Sequence, residues 1–398
     1  MKKLATISTL TLALVLTYAY HSGVGVAEAA ETAQLQTVTI GGEPVVTLTR
    51  PQVTDRTKPQ FLGATVLPGR GMNLLQVRAY LPGKGEIDLL NSPSLPEAKR
   101  FLDDQDDEFG NNNFKIGAAI LVPWANRIRG KLLPDGKTIE ATIAGQTVSL
   151  PAGWSGKNPG AEKHAIHGLM LKSRFQDIQA VNGTAESRVS GVLHAGNFGG
   201  HWPSRTDVTV QTVLKNDALE MTVTTKNVGG QILPIGIALH PYFNLPSGDR
   251  KQAKLHLPSG TRALVNNYDD VFPTGKLVWV KKTEYDFTAP GGKALGTLFL
   301  DDNFPLVIHD PDGRAVVEIV DPAAKYGLRL ICLSPEVAAV QVYAPLDKPF
   351  IAVEPQFNWN DPYSQAWEEN DTGMVLLRPG ESVSWRLRVE MFIPAAGQ

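Results

Sequence analysis

Three short stretches of the sequence carry side chains that could move protons. An apolar run leads into His240 and another leads into Glu354, and each run is followed by a proline, Pro241 or Pro355. Because proline lacks a backbone N–H, we expect each strand to end or to reach a sheet edge there. A third stretch places His167 directly before a glycine. A carboxylate and an imidazole at the ends of buried strands could act as base and acid at the rim of one pocket.

These residues also have purely structural interpretations. His240 could be a half-buried core histidine bonded to a loop, and Glu354 could be a surface carboxylate paired with an arginine. Burial against apolar walls would instead raise the pKa of Glu354 toward the range that suits proton transfer. The amides and tryptophans of residues 358–367 would suit a sugar site, because aromatic rings pack against a pyranose and amides bond to its hydroxyls.

Other polar segments give weaker signals. Asn126 and Arg127 offer several hydrogen-bond donors to a ligand. The structural alternative is that Asn126 is a turn residue and Arg127 a partner in an ion pair. His164 and His167 are three residues apart, but the H-E-x-x-H spacing of a zinc site is missing, so we predict no metal. The glycine-rich segment 196–203 lacks the strand–glycine–helix context of a phosphate loop, and we interpret it as a loop near the pocket.

Alternating apolar and polar residues predict many short strands separated by turns. A helix is predicted over residues 94–102, with Ser94 as its cap and Glu97 three residues later. The predicted strands span residues 75–80, 85–90, 189–193, 207–214, 219–225, 255–257, 276–280, 306–308, 316–320, 326–332, 337–343 and 382–392. This pattern indicates an all-β fold, a large antiparallel β-sandwich with few short helices.

Composition narrows the class of protein. The chain has 398 residues, a net charge of −2 and 20% charged residues, so we expect no nucleic-acid partner. Residues 1–30 resemble a signal peptide, with Lys2 and Lys3, a short apolar run and a small-x-small cleavage pattern; an uncleaved anchor is the alternative. We therefore expect an exported protein, periplasmic or secreted from a bacterium, without a membrane span after signal removal. Cys332 is the only cysteine and is expected to be a buried thiol.

The motifs together resemble the aldose 1-epimerase (mutarotase) family. They occur in the family's order and extend over roughly residues 74–392. The matching stretches are Ala125-Asn126-Arg127-Ile128, Ile166-His167-Gly168, His240-Pro241-Tyr242-Phe243-Asn244-Leu245, Phe272-Pro273-Thr274-Gly275 and Val353-Glu354-Pro355-Gln356. The resemblance implies a galactose mutarotase-like sandwich over residues 74–394, preceded by a leader segment, residues 31–73, that could add edge strands.

The resemblance also implies roles for individual residues. Glu354 matches the family's catalytic base and His240 its catalytic acid. His167 matches the histidine that binds the sugar near its ring oxygen. Three further residues are implied to bind substrate, namely Asn126, Arg127 and Asp269. The implied substrate is a free aldohexose-type sugar, and the implied reaction needs no cofactor.

The sequence departs from the family pattern at two places: before the Ala-Asn-Arg-Ile stretch, and before Pro273-Thr274-Gly275, where Asp269 and Asp270 are offset from the usual position of the family's substrate-binding aspartate. Many members carry Gly-Arg before the Ala-Asn-Arg-Ile stretch, whereas Val122 and Pro123 stand there in this chain. This departure leaves the identity of the sugar open. Two other functions also remain open: a non-catalytic carbohydrate-binding protein with the same fold, and another sugar epimerase. A phosphorylated substrate would require clustered lysines and arginines, and the sequence shows none beside the three main motifs.

Overall fold

The computed structural model describes residues 31–32 and 35–395, so the predicted signal segment, residues 1–30, lies outside the described residues. Within the described part are twenty-nine strands, one α-helix and four 3₁₀ helices. The strands are β1 Glu31–Thr32, β2 Leu35–Ile40, β3 Glu43–Thr49, β4 Gln60–Leu67, β5 Asn73–Leu81, β6 Gly85–Asp88, β7 Ala118–Leu121, β8 Arg127–Ile128, β9 Lys131–Leu132, β10 Thr138–Ile143, β11 Gln146–Pro151, β12 Ala165–Ile166, β13 Gln176–Asn182, β14 Ser187–Gly196, β15 Thr206–Leu214, β16 Ala218–Asn227, β17 Leu233–Ile235, β18 Ala238–Asn244, β19 Lys254–His256, β20 Thr261–Val265, β21 Pro273–Trp279, β22 Lys293–Ala294, β23 Leu300–Pro305, β24 Ala315–Asp321, β25 Tyr326–Cys332, β26 Ala339–Ala344, β27 Phe350–Gln356, β28 Val375–Leu377 and β29 Ser382–Phe392.

The helices are short and lie between strands. The α-helix α1 is Leu95–Leu102, and the 3₁₀ helices are Pro68–Arg70, Asn111–Lys115, Phe198–Gly200 and Gln365–Trp367. The side chain of Glu97 accepts a hydrogen bond from the backbone N–H of Ser94 at 3.1 Å, so the predicted helix start is confirmed. In residues 31–32 and 35–395, no helix has the length and apolar character needed to cross a membrane.

Two ten-stranded antiparallel sheets make up most of the fold, which confirms the predicted β-sandwich. The first sheet has the strand order β1-β13-β14-β15-β16-β29-β25-β24-β19-β22. The second sheet has the order β2-β3-β4-β5-β7-β18-β27-β26-β23, with β6 paired to β5. Within the leader segment, β2, β3 and β4 continue one end of the second sheet, next to β5.

Both sheets contribute alternate residues to one large apolar core. Val223 and Trp385, directly paired on β16 and β29, are fully buried, as are Val342 and Val353, paired on β26 and β27. Burying one such aliphatic side chain stabilises the fold by about 1.5–3 kcal/mol relative to exposing it. Because successive strand residues face opposite sides, the residues between these core positions on the second sheet point away from the core.

Two expectations about strand ends are wrong. Both β18 and β27 continue past Pro241 and Pro355, and both are interior strands of the second sheet. The two strands pair at Ala238–Gln356 and at Tyr242–Ala352, but the ladder is interrupted between these pairs. The N–H groups that the two prolines lack account for the interruption, while β7 and β26 pair with the outer sides of the same residues.

One predicted strand, residues 306–308, is also wrong. Strand β23 ends at Pro305, and Leu306 turns the chain with a φ of 57°. Ile308 is 65% exposed, so the apolar spacing of this segment does not reflect a buried strand face. All other strands predicted from the sequence overlap strands of the structure.

Candidate active site

The centre of the candidate site is a direct cross-strand pair, His240 and Glu354. The register that pairs Ala238 with Gln356 and Tyr242 with Ala352 places them opposite each other on β18 and β27. Their Nε2 and Oε1 atoms are 3.4 Å apart. Residues opposite each other in an antiparallel pair project to the same face, so the sheet register itself brings these side chains together.

The pair is nearly removed from solvent. Glu354 is 2% exposed and His240 is 5% exposed. Burial raises the pKa of Glu354 well above its usual value, and the nearby Asp301 carboxyl raises it further. Burial also lowers the pKa of His240 to about 4. Both shifts favour the uncharged form of the pair, in which the carboxyl holds the single proton, and Oε2 of Glu354 lacks any hydrogen-bond partner among the described residues.

A short two-stranded antiparallel ladder positions Asn126 and His167, two further residues predicted to belong to the site. Strands β8 and β12 pair Arg127 with Ile166, which brings Asn126 next to His167. The N–H of His167 donates to the carbonyl of Asn126 at 2.8 Å, and both residues have positive φ, 65° for Asn126 and 57° for His167. Such backbone strain in residues other than glycine costs about 1–3 kcal/mol and concentrates at functional sites. A Cβ at Gly168 would lie 2.2 Å from the carbonyl oxygen of Val122, so only glycine fits after His167.

His167 is held as a neutral hydrogen-bond donor. Its Nδ1 accepts the N–H of Asn126 at 3.3 Å, so the ring proton resides on Nε2. Burial, together with the neighbouring His240, lowers its pKa well below the usual value. Its ring stands edge-on to His240 at 5.1 Å and edge-on to Phe114 at 4.5 Å. The two imidazoles thus face the same space from different elements.

A buried polar network continues the floor of the site. The side chain of Asn126 donates to Gln341 at 3.0 Å and accepts from Arg127 at 2.9 Å. Gln341, which lies opposite Glu354 on β26, donates to Asp301 at 2.8 Å. An Arg127 nitrogen is 3.7 Å from the Asp301 carboxylate. Burial raises the pKa of Asp301, whereas the arginine and the Gln341 amide act in the opposite direction.

The predicted substrate-binding aspartate occupies a different kind of position. Asp269 lies along the cleft, and its carboxylate accepts the backbone N–H groups of Lys157 at 2.7 Å and Asn158 at 2.9 Å. These two hydrogen bonds lower its pKa. It therefore fixes the loop that carries Lys157, and its role in binding substrate stays a prediction. Asp301, which was not predicted from the sequence, is a half-buried carboxyl on the floor of the cleft; the signal that could have found it is an acidic residue directly after the apolar residues 298–300.

Other residues singled out from the sequence lie outside the cleft. His164 packs edge-on to Phe272, and its Nδ1 contacts the carbonyl of Glu162 at 3.0 Å. Asn358, expected beside a sugar, is fully buried and makes hydrogen bonds to both backbone groups of Ala125. The nearby tryptophans, Trp359 and Trp367, pack against each other rather than into the cleft. Among residues 31–32 and 35–395, no group of three His, Cys, Asp or Glu side chains is arranged to hold a metal ion.

These groups surround a cleft of about 390 Å³, within the size range of small-molecule sites. Its walls combine aromatic side chains with polar groups directed at the same space. The aromatic lining residues are Phe114, Trp154, Tyr242, Tyr268, Phe299 and Tyr343. Flat apolar faces, amides, imidazoles and a paired acid and base are what recognition and proton transfer on a sugar ring require.

A β-supersandwich with a histidine–glutamate pair on its central strands is the class of protein that fold and site define. The sequence matches the aldose 1-epimerase family over residues 90–390, and the chain belongs to that family. No curated protein sequence matches the chain significantly.

Solved structures share the fold at low identity. A galactose mutarotase-like protein from Clostridium acetobutylicum is 16% identical, with a TM-score of 0.68 over 91% of this chain and 99% of that one. An aldose epimerase homologue from Caenorhabditis elegans is 17% identical, with a TM-score of 0.63 over 88% and 98% of the two chains. A galactose 1-epimerase from Lactobacillus acidophilus is 17% identical, with a TM-score of 0.60 over 87% and 98%. An aldose epimerase-type function follows from the family.

Proposed function

We propose that the protein is a mutarotase that interconverts the α- and β-anomers of a free aldose. The observation that carries the proposal is the buried cross-strand pair, with Nε2 of His240 3.4 Å from Oε1 of Glu354 at the floor of a sugar-sized cleft. Anomer exchange needs one group that removes a proton and one that supplies a proton to the same small molecule. It needs no oxidation or reduction.

In the proposed reaction, the carboxylate of Glu354 removes the proton of the C1 hydroxyl while protonated His240 donates to the ring oxygen. The bond between C1 and the ring oxygen breaks and leaves an open-chain aldehyde. Rotation about the C1–C2 bond presents the other face of the aldehyde, and both proton transfers reverse as the ring closes. Each positioned proton-transfer group contributes typically ~10²–10⁴ in rate.

The protonation of the pair is compatible with this scheme. Burial raises the pKa of Glu354 and lowers that of His240, and both shifts favour the form in which the carboxyl holds the single proton and the imidazole is neutral. Moving that proton from the carboxyl to the imidazole generates the carboxylate and the imidazolium without changing the total charge. Sugar hydroxyls that donate to the carboxylate would favour this ionic form, since hydrogen bonds to a charged group stabilise it.

The test is polarimetry on freshly dissolved α-glucose and α-galactose, followed by a wider panel of aldoses. We expect the wild-type protein to accelerate anomerisation and Glu354→Gln to remove nearly all of that acceleration while the protein stays folded. Glu220→Gln is the matched control, because Glu220 lies on β16 in the other sheet. Wild-type-like rates in Glu354→Gln would exclude Glu354 from the mechanism. Sugar binding without acceleration of any aldose would instead favour a non-catalytic carbohydrate-binding protein.

A further inference from the structure

A second cavity adjoins the candidate active site. It has a volume of about 430 Å³ and shares Ile166 with the cleft. Ala165 and Gly168 also line it, so the short segment that carries His167 lies between the two cavities. Phe198, Gly199 and His201 of the glycine-rich loop, residues 196–203, also line it, and the proposed reaction does not use this loop.

This loop contains a strained residue and is held by local hydrogen bonds and ring stacking. Phe198 has a φ of 53°, an uncommon conformation for a bulky residue. The side chain of Asn197 accepts the N–H of Gly200 at 3.0 Å, and the ring of buried Trp202 stacks on Trp124 at 5.1 Å. The fold thus maintains a costly backbone conformation that places Phe198 on the cavity wall, and backbone strain of this kind is typical of functional loops.

Two imidazoles on the cavity wall are each oriented by a hydrogen bond at Nδ1, and Nε2 of each ring is available to a ligand. His194 Nδ1 lies 2.9 Å from an Asp207 carboxylate oxygen, and His201 Nδ1 contacts the carbonyl oxygen of Ser149. Because both partners are acceptors, each Nδ1 donates, and each Nε2 is an acceptor in the neutral ring. Neither Nε2 has a partner among the described residues, so both can accept from ligand hydroxyls.

The cavity does not select a charged ligand. Its two lining side chains of fixed charge, Glu108 and Lys172, have opposite signs. Glu108 is paired with Lys137 at 2.8 Å, and the Lys172 ammonium donates to the carbonyl of Asp107 at 2.9 Å. The remaining surface combines the aromatic rings of Phe109 and Phe198 with oriented hydrogen-bond acceptors.

We propose that this cavity is a second saccharide-binding site, for a neutral sugar ring. Aromatic faces pack against the C–H surface of a pyranose, and fixed imidazole acceptors bind its hydroxyls. The site is separate from the proton-transfer pair, so occupancy here involves no bond breaking. It also extends beyond anomer exchange, because a sugar could bind here without a free anomeric hydroxyl.

The experiment uses methyl α-D-galactoside and methyl α-D-glucoside, which cannot open their rings. Backbone amide shifts of the ¹⁵N-labelled full chain are followed during titration of each glycoside. We expect saturable shifts at residues 166–168 and 194–201. Phe198→Ala and His201→Gln should each weaken these shifts by about tenfold in apparent affinity, a factor typical of losing one good contact. Phe392→Ala, which truncates a half-buried ring at the end of β29, should leave them unchanged.

Two results would overturn the proposal. One is the absence of shifts at the loop with either glycoside at concentrations well above the millimolar range. The other is wild-type affinity in both Phe198→Ala and His201→Gln. Anomerisation of free aldoses is measured separately on the same variants and should stay at the wild-type rate, so failure of the second site and failure of the proposed function are distinguishable.

Discussion

The same cross-strand arrangement occurs on the outward faces of both sheets with opposite consequences. On the first sheet, Glu220 and Arg388 are direct partners on β16 and β29, and their side chains form an ion pair that is 30% and 24% exposed. On the second sheet, His240 and Glu354 are direct partners whose side chains alone are 7% and 2% exposed. Water screens the first pair and leaves it worth at most about 1 kcal/mol. The second pair loses its hydration, and burial shifts both pKa values in the direction that favours the uncharged forms.

This difference shows that burial decides what a pair of opposed ionisable groups can do. The loops that carry Asn126, His167 and Trp154 line the cleft above the second pair. On the outer face of the first sheet, Arg388 instead has a further partner: its Nε donates to the carboxylate of Glu390 at 2.6 Å. An exposed ion pair supports the sheet only slightly, whereas a buried acid–base pair can exchange a proton with a ligand.

The largest effect is expected from removing one member of the buried pair. His240→Asn keeps a polar side chain but cannot carry the proton, so kcat for anomerisation should fall by about 10²–10⁴. Arg388→Gln disrupts the exposed pair and should leave kcat within a factor of two of wild type. Polarimetry on both variants, with circular dichroism to verify folding, measures the contrast. Similar losses in both variants would show that the pairs do not differ in function.

The next effect concerns the pH dependence of kcat/KM. The pair is active while it holds one proton, and a second proton enters as His240 titrates with a pKa of about 4. The proton is lost as pH rises through the pKa of Glu354, which burial raises well above its usual value. Activity should therefore be level between these limits and fall by about tenfold per pH unit beyond each. An acid limb centred near the ordinary histidine pKa of about 6.5 would contradict this assignment.

The smallest effect is on stability. Glu354 binds its proton more tightly in the folded than in the unfolded state, so wild-type stability falls as pH rises between the two pKa values. Gln cannot ionise, so the Glu354→Gln variant should have a free energy of unfolding about 0.5–2 kcal/mol higher than wild type at neutral pH. Substitutions of active-site residues commonly stabilise a protein by such amounts. The gain should vanish below pH ~4, where both states are protonated. Glu220→Gln should show no such pH-dependent gain in urea titrations.

The sequence by itself determined the residue types, the alternation that produces strands and the order of the chemical motifs. The alternation of apolar and polar residues was sufficient to predict β15, β16 and β29, because in a strand with one buried face every second side chain is buried. It was misleading at residues 306–308, where Leu306 turns the chain and the apolar side chains are exposed. The expected ends at Pro241 and Pro355 were wrong because a missing N–H interrupts one ladder without preventing pairing on the other side of the strand.

Only the tertiary structure decided which of the polar residues meet. Motif order identified His240 and Glu354, but it is the register of β18 on β27 that sets them opposite each other. That register depends on packing of the whole sheet, since a slip of one residue in either strand would turn the side chain of that strand to the other face. The pairing of β26 with β27 and with β23 places Gln341 and Asp301 on the floor of the cleft, whereas Asp269 lies in a loop and accepts a backbone N–H of the loop that carries Lys157. Residues far apart in the chain carry no local signal of such contacts, because burial and distance are properties of the folded sheets.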